Sequence, residues 1–270
     1  MSVLAHAIDR VRTARAERIT GVVGAMRGLS LLVDDLPIPV GATVRVMAHA
    51  GPVLGEVVGF DSGRAIVMTL GASTGVRSGD RVIAAELTPT VAVCPGLLGR
   101  VLNGLGSPID GLGSVHEGVA HPLVGDPIGA MEREPIRESL STGVRAIDAF
   151  VPVGKGQRVG VFAGPGVGKS TLLGMIARST RADVNVIALI GERGREVREF
   201  IEGSLGEEGL RRSVVIVATS DESPLMRVRA AHAACAVSQY FAGAGLDVML
   251  MLDSVTRFAH AQRQIGLAVG

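Results

Sequence analysis

The pattern of apolar and polar positions first predicts a region of short strands. Apolar runs between residues 19 and 90 lie near a ten-residue spacing and are separated by clusters of Gly, Pro, Asp and Ser. The predicted strands are ITGVVGAM (19–26), LSLLVDD (29–35), TVRVMAH (43–49), LGEVVGF (54–60), AIVMTL (65–70) and DRVIAAEL (80–87). Several short strands at this spacing predict a small all-β barrel or sandwich.

From residue 151 onward the pattern predicts alternating strands and helices. The predicted strands are RVGVFAG (158–164), VNVIALIGE (184–192), SVVIVATS (213–220) and DVMLMLDS (247–254). The predicted helices are KSTLLGMIARST (169–180), REVREFIEGSLG (195–206) and LMRVRAAHAACAVSQYF (225–241). Continuous apolar strands alternating with helices predict βαβ units with a parallel sheet.

The first 18 residues show a third pattern of apolar and polar positions. Five apolar residues recur at helical spacing among four arginines. The apolar set is Val3, Leu4, Ala7, Ile8 and Val11. This stripe favours an amphipathic docking helix, and the alternative is a frayed or locally packed terminus.

The segment AGPGVGKST, residues 163–171, carries the most specific chemistry. It lies between a predicted buried strand and a predicted helix, where glycines let backbone N–H groups point at phosphate oxygens and the helix N-terminus adds its positive dipole. Lys169 would contact the β- and γ-phosphates, and the Ser170 hydroxyl would ligate Mg²⁺. Ala163 stands where the strict pattern has Gly, and an unrelated Gly-rich turn is the alternative interpretation. The candidate phosphate-binding residues are Gly164, Pro165, Gly166, Val167, Gly168, Lys169, Ser170 and Thr171.

Two carboxylates at predicted strand ends complete a candidate hydrolytic site. Asp253 ends the apolar run VMLMLD and suits a Mg²⁺-side carboxylate, with an ordinary strand-end Asp or helix cap as the alternative. Glu192 ends another strand, is followed by Arg193, and suits a base that activates water. A surface Glu–Arg pair is the alternative there. Arg257 and Arg263 follow Asp253 and suit phosphate sensing, a subunit contact or plain solvated helix charges.

Composition narrows the function classes. The net charge is +1, aromatic residues make up 3%, and Phe60 is the only aromatic residue before position 100, which argues against a nucleic-acid surface. Lys155 and Lys169 are the only lysines. Two distant cysteines, Cys94 and Cys235, disfavour a disulfide framework or a zinc site, and we expect both to be small buried residues. The absence of a long apolar run or a secretory signal predicts a soluble, cytoplasmic protein.

Four long segments together resemble the ATPases of type III protein export, relatives of the rotary ATP synthase β-subunit. They are residues 141–171, 183–202, 214–234 and 247–270. GLLGRVLNGLGSPIDGLG (96–113) is also similar to the family's segment that links barrel to core. DESPLMRVRAA and SVTRFAHAQRQIGLA resemble the flagellar export ATPase more than the virulence injectisome enzyme. The resemblance runs from roughly residue 20 to the end.

The resemblance implies an α/β fold: a RecA-like P-loop core with a parallel sheet, preceded by a small N-terminal β-barrel. We therefore predict a docking helix at 1–18, a β-barrel domain at 19–92 and a RecA-like ATP-binding domain at 93–270. ATP and Mg²⁺ are the implied ligands. Carried onto matching positions, Lys169 and Ser170 bind phosphate and Mg²⁺, and Glu192 activates water. Arg193 lies near the γ-phosphate, and Asp253 supports Mg²⁺ through a water.

The family also implies partners and a location. We expect a homohexamer with ATP sites between subunits, a stator-like regulatory protein on the N-terminal helix, and contacts with the export gate, substrates and chaperones. Location would be cytoplasmic, peripheral at the inner face of the cytoplasmic membrane, with no nucleic acid bound. Family members continue beyond GLAVG, so we expect the arginine finger, the adenine-side pocket and the helical domain to be absent, and ATP turnover by this chain to be slow.

Three functional hypotheses follow. The first is an ATPase that energises type III export of unfolded flagellar proteins, with the injectisome enzyme as its close alternative. The second is an RNA-tracking hexameric motor, which the aromatic-poor barrel region disfavours. The third is a nucleotide-binding module without turnover.

Overall fold

The computed structural model describes residues 19–115, 117–164 and 166–270. The predicted docking helix at 1–18 lies outside the described residues, as does Pro165 of the phosphate loop. The chain divides into two compact units. The first contains the described residues up to Leu87 together with Ala268–Gly270, and the second is Thr88–Leu267.

The first unit is a closed barrel of six antiparallel strands in the order β1-β2-β5-β4-β3-β6. The strands are β1 (Thr20–Arg27), β2 (Ser30–Asp34), β3 (Thr43–Ala48), β4 (Gly51–Asp61), β5 (Arg64–Thr69) and β6 (Arg81–Glu86). Because β1 pairs with both β2 and β6, the sheet closes on itself and leaves no open edge. Of the two predicted architectures, barrel or sandwich, the barrel is therefore confirmed.

Alternation of side chains explains why these segments form the barrel. In β3, Val44, Val46 and Ala48 are buried, whereas Arg45 and Met47 between them are exposed. Strand side chains alternate between two faces, so one apolar face fills the barrel and one polar face meets water. The buried core comprises Val23, Leu31, Val33, Leu36, Ile38, Ala42, Val44, Val46, Val57, Ala65, Val67 and Val82.

The second unit is built on a four-stranded parallel sheet in the order β14-β12-β13-β8. Its strands are β8 (Val101–Asn103), β12 (Val184–Ile190), β13 (Ser213–Ala218) and β14 (Val248–Asp253). Two short antiparallel ladders accompany it, β7 (Thr90–Val93) with β9 (Val119–Pro122) and β10 (Ser139–Leu140) with β11 (Val153–Gly154). Every residue of β12 is buried, as expected for a central parallel strand.

Helices cover both faces of this sheet. They are α1 (Arg145–Phe150), α2 (Lys169–Ser179), α3 (Gly194–Glu199), α4 (Gly206–Arg211), α5 (Pro224–Gly243) and α6 (Val255–Val269). A π-turn, Phe200–Leu205, joins α3 to α4, and 3₁₀ turns occupy Pro95–Leu97 and Ala130–Glu132. Ser223 caps α5, because its hydroxyl accepts from the Met226 N–H at 3.1 Å.

The two faces of the sheet carry different packing. On one face, Ile187, Leu189, Val215 and Val217 share a core with α2, α3 and the π-turn. On the other face, α5 packs against β12, β13 and β14. Helices on both faces of a parallel sheet confirm the predicted α/β core.

A hydrogen-bonded turn fastens the C-terminal end of α2. The Asp148 carboxylate accepts from the hydroxyls of Ser141 and Thr142, both at 2.7 Å, and from the Thr142 and Gly143 N–H groups at 2.8 and 3.1 Å. These bonds lower the pKa of Asp148 to about 2, the Ser141 hydroxyl contributing most. The Ser141 carbonyl in turn accepts from Arg181 N–H at 3.0 Å. The turn thereby holds the end of α2 in place.

The predicted strand at 158–163 is wrong in this structure. These residues form no strand and are exposed, and the Phe162 side chain is 98% exposed. Their apolar pattern indicates only that the side chains are of a kind that is usually buried. A strand also needs a partner edge for its N–H and C=O groups, and none of the described strands pairs with this segment. The local sequence pattern carries no information about whether a partner strand lies beside residues 158–163.

The two cysteines are both free, and only one is buried. Cys94 is buried as expected, whereas Cys235 is only partly buried, so the expectation is wrong for Cys235. Cys235 lies on α5 between Ala234 and Ala236, which are both buried. At 3.6 residues per turn, neighbouring positions point in different directions, and Cys235 falls beside the buried face.

Candidate functional site

The glycine-rich segment forms a concave loop at the start of α2. It borders a cavity of about 480 Å³ lined by Ala163, Gly164, Gly166, Gly168, Lys169, Ser170 and Thr171. Gly166 and Gly168 have φ values of 75° and 99°, a left-handed conformation that glycine adopts without a Cβ penalty. The first-turn N–H groups of a helix have no partner within the helix, so this loop presents N–H donors and a positive dipole end to the cavity.

Lys169 lies at the first position of α2 and reaches across to the sheet. Its ammonium group donates to the Asp253 carboxylate at the end of β14. The Asp253 side chain is 5% exposed and that of Lys169 is 31% exposed. The structure therefore brings together two residues that are 84 positions apart and that the sequence assigned to one site.

Ser170 and Thr171 follow Lys169 and are exposed at the cavity. Val167, by contrast, does not line the cavity, and its side chain is 70% exposed. Among the described residues no cluster of three His, Cys, Asp or Glu side chains forms a self-contained metal site. A hydroxyl, one carboxylate and phosphate oxygens nevertheless suit Mg²⁺, which usually binds through few protein ligands. The residues present thus fit a nucleotide phosphate chain with its cation.

Glu192 follows the end of β12, beside the end of β14. Its carboxylate lies 3.3 Å from the Arg257 guanidinium, and its side chain is 16% exposed. Burial raises the pKa of Glu192, the Arg257 charge opposes that rise, and the nearby Asp253 charge adds to it. A half-buried carboxyl with a raised pKa next to a phosphate loop has the properties of a candidate general base.

Arg193 pairs with a carboxylate in this structure, and its place near the γ-phosphate stays a prediction. Its side chain is 64% exposed and pairs with Glu196 at 3.1 Å, one helical turn along α3. Glu196 also hydrogen-bonds with Glu192, and its own pKa is lowered by Glu192 and Arg193 against the effect of burial. Of the two carboxylates, Arg193 therefore pairs with Glu196.

Sequence reasoning left the role of Arg257 open. The structure places it in the first turn of α6, with its guanidinium on Glu192 and on the Gly191 carbonyl. Sequence reasoning also passed over Glu196, because one acidic residue in a charged helix carries no signal of its own. The only available indication was a carboxylate four residues after Glu192, at the start of the predicted helix.

A parallel α/β sheet, a glycine loop that opens a helix, and a lysine joined to a strand-end aspartate define a P-loop nucleotide-binding protein. Residues 143–270 match the nucleotide-binding domain of the ATP synthase alpha/beta family. The chain is also similar, over nearly all of its length, to the flagellum-specific and type 3 secretion ATPases described next. The resemblance inferred from the sequence is confirmed.

Relatives match over nearly all of the chain. It is 47% identical to the flagellum-specific ATP synthase of Bacillus subtilis over 262 residues, which are 96% of this chain and 58% of the relative. It is 47% identical to the type 3 secretion system ATPase of Xanthomonas euvesicatoria over 258 residues, 95% of this chain and 58% of the relative. The chain thus spans somewhat under two thirds of the length of these curated relatives.

A solved structure shows similarity to the same group of ATPases. The assembled ATPase EscN of enteropathogenic E. coli, in complex with its central stalk EscO, superposes with a TM-score of 0.85 at 37% identity. That match covers 93% of this chain and 61% of EscN. In the described part of the chain, no helix combines the length and the apolar character needed to cross a membrane.

Proposed function

We propose that this chain is the barrel and nucleotide-binding part of an ATPase that energises type III export of unfolded flagellar proteins. The observation that carries the proposal is the joining of Lys169 to Asp253 beside the half-buried Glu192. These three side chains would supply a phosphate-binding cation, a Mg²⁺-side carboxylate and a base at one edge of the sheet. Export as the coupled process is supported by the names of the relatives.

In the proposed reaction, the N–H groups of the glycine loop and the Lys169 ammonium hold the β- and γ-phosphates of ATP. The Ser170 hydroxyl and Asp253, the latter through a water, would hold Mg²⁺, which neutralises charge on the phosphate oxygens. Glu192 orients the attacking water and accepts its proton as the water oxygen bonds to the γ-phosphorus. The bond from the γ-phosphorus to the β–γ bridging oxygen breaks, so that ADP leaves with the electron pair and phosphate is released. Because a base must be ionised to accept a proton, the cations facing Glu192 favour its active form. Arg193 would approach the γ-phosphate only after leaving Glu196.

Assembly belongs to the same proposal. EscN is described as an assembled ATPase and in complex with a central stalk, and we propose that this chain likewise assembles with copies of itself into a homohexameric ring. Contacts with a stator-like regulator, the export gate, substrates and chaperones, at the inner face of the cytoplasmic membrane, are proposed from the resemblance to export ATPases. Turnover that increases with protein concentration would support assembly of the active site between copies.

Two substitutions test the nucleotide chemistry. Lys169→Ala should weaken Mg-ATP binding by about tenfold or more, because a charge-assisted contact worth about 1.5–3 kcal/mol is lost. Glu192→Gln should preserve binding and reduce turnover by about 10²–10⁴-fold, since the amide cannot accept the proton. Binding is measured by titration calorimetry and turnover by phosphate release, with Lys155→Ala as the matched lysine control.

The outcomes separate the alternatives. Unchanged ATP affinity in Lys169→Ala contradicts the phosphate-loop assignment. Near-parental turnover in Glu192→Gln shows that another group is the base. Binding without any turnover in the parent chain, over a wide protein-concentration range, supports a nucleotide-binding module instead of an ATPase.

The injectisome ATPase is the second candidate, because the Xanthomonas type 3 secretion enzyme matches this chain at 47% identity, the same value as the flagellar relative. Deleting the gene in its host discriminates between them. Loss of filaments and motility supports flagellar export. Retained motility with loss of secreted effectors supports the injectisome.

A further inference from the structure

Arg257 connects the ends of two neighbouring strands. It lies in the first turn of α6, where its N–H bonds to the Ser254 carbonyl at 3.1 Å, directly after β14. One of its terminal nitrogens donates to the Gly191 carbonyl, and the other lies 3.3 Å from a Glu192 carboxylate oxygen. Gly191 and Glu192 directly follow β12, so a single side chain joins this strand end to that of β14.

The aliphatic part of Arg257 fits against a glycine. A Cβ added to Gly191 would come within 2.7 Å of the Arg257 Cδ, closer than real contacts allow, and Gly191 has a φ of 72°. The side chain therefore lies flat on the backbone of residue 191 while its planar guanidinium reaches the next residue. An arginine presents several donors in a rigid fork, which suits simultaneous contact with a carbonyl and a carboxylate.

These contacts argue against one interpretation of Arg257, that of a plain solvated helix charge. A solvated helix charge would extend into water and make no specific pair. Instead, Arg257 is 40% exposed, and its partner Glu192 is 16% exposed, so the pair is screened less than one on the surface. The charged side chains that act on Glu192 are Arg257, Lys169, Asp253 and Glu196.

We propose that Arg257 is a positioning residue for Glu192: its guanidinium contacts both the Gly191 carbonyl and the Glu192 carboxylate and so fixes the orientation of that carboxylate at the ends of β12 and β14. This role rests on the proposed function of Glu192 as the base. Arg257 itself transfers no proton and forms no bond with substrate in this role. Its effect on the reaction passes entirely through Glu192.

The first test measures Glu192 directly and needs no turnover. The chain is labelled with ¹³C at the glutamate carboxyl carbons, and the Glu192 signal is identified by its disappearance in Glu192→Gln. In Arg257→Gln the pKa of Glu192 should rise, because the main opposing cation is removed while burial, Asp253 and Glu196 still raise it. Arg263→Gln is the matched control, since Arg263 is exposed on the same helix, and it should leave the titration unchanged.

The second test measures catalysis. Arg257→Gln should lower kcat by up to about 100-fold, as expected for a misplaced catalytic group, with the Kd for Mg-ATP within about twofold of the parent. The acidic limb of the rate profile should move to higher pH. Arg257→Lys should restore part of the Glu192 pKa but less of kcat, because an ammonium group supplies charge without the fork.

An unchanged Glu192 titration in Arg257→Gln overturns the proposal, and so does a large loss of nucleotide affinity with the Glu192 titration unmoved. Circular dichroism checks the fold, and Arg257→Lys decides if the glutamine variant is unfolded. A parent chain whose turnover does not depend on Glu192 contradicts the proposed function instead. In that case the titration still shows whether Arg257 controls the Glu192 carboxylate.

Discussion

Single residues at this site are arranged as matched charges. Lys169 pairs with Asp253, Arg257 with Glu192 and Arg193 with Glu196. A phosphate group that reaches Lys169 must therefore share or replace a carboxylate that already occupies it. The arrangement keeps the nearly buried Asp253 neutralised, since an unpaired buried charge would be costly.

Asp148 gives a prediction at the same scale. Its folded-state pKa of about 2 lies below the ordinary value of 3.8, so its hydrogen bonds stabilise the fold fully above 3.8, and this contribution is lost as the pH falls through 2. Asp148→Asn should lower the thermal midpoint at neutral pH, because the amide cannot accept from all four donors. The difference from the parent should shrink in acid.

The measurement is a series of thermal unfolding curves from neutral pH downward. Asp126→Asn is the control, because Asp126 is exposed, and it should have little effect at any pH. A deficit in Asp148→Asn that stays constant between neutral pH and pH values below the ordinary 3.8 would contradict the assigned ionisation.

At the scale of elements, α2 is held to the π-turn by a close backbone approach. A Cβ on Gly174 of α2 would lie 2.8 Å from the Ser204 carbonyl carbon. Backbone cannot rotate away as a side chain can. The helix that carries Lys169 and Ser170 therefore has little freedom to shift against its neighbour.

Gly174→Ala should consequently destabilise the second unit by about 1–3 kcal/mol, in the range expected for overpacking. Gly203→Ala is the matched control, because a Cβ there meets no atom within 4 Å, and alanine favours helical backbone. Urea unfolding followed by circular dichroism measures both. Equal midpoints for the two variants would show that α2 and the π-turn move apart easily.

For the whole molecule, the division into two compact units predicts which backbone amides are protected from exchange when nucleotide binds. Mg-ATP at about 100 times its Kd stabilises the state that binds it by about 2.7 kcal/mol. Amide exchange should slow in residues 163–171 and at the ends of β12 and β14. The barrel strands up to Leu87 should show little change. Lys169→Ala, which should bind nucleotide weakly, provides the control. If Mg-ATP slowed amide exchange in the barrel of the parent chain as much as at the nucleotide site, the effect would not be limited to the second unit.

The sequence predicted most of the architecture because its signals there are periodic. Alternation in segments such as 43–48 and continuous apolar runs such as 184–190 report burial directly, and the structure has strands at both. It also indicated Lys169, which stands at a fixed place in a strong local pattern, and Asp253, whose weaker strand-end pattern gains weight from its position after the phosphate loop. The structure brings these two into direct contact.

The remainder depended on pairing between distant segments. Residues 158–163 have the pattern of a buried strand and no strand partner in this structure. The contact between Arg257 and Glu192 joins positions 65 apart, and nothing local distinguishes Arg257 from Arg263. In the structure, Arg257 lies in the first turn of α6, directly after β14, whereas Arg263 lies six residues further along the helix.

The two lysines have a practical consequence for handling the molecule. Lys155 pairs with Asp247, which directly precedes β14, at 2.7 Å, and Lys169 pairs with Asp253 at the end of that strand. The segment between them, including the phosphate loop, is thus attached to both ends of one strand by the only side-chain amines in the chain. Amine-reactive dyes, crosslinkers and biotin esters have no other side-chain targets, so routine labelling would remove one or both of these ion pairs. Attachment through the partly buried thiol of Cys235 would leave both lysines intact.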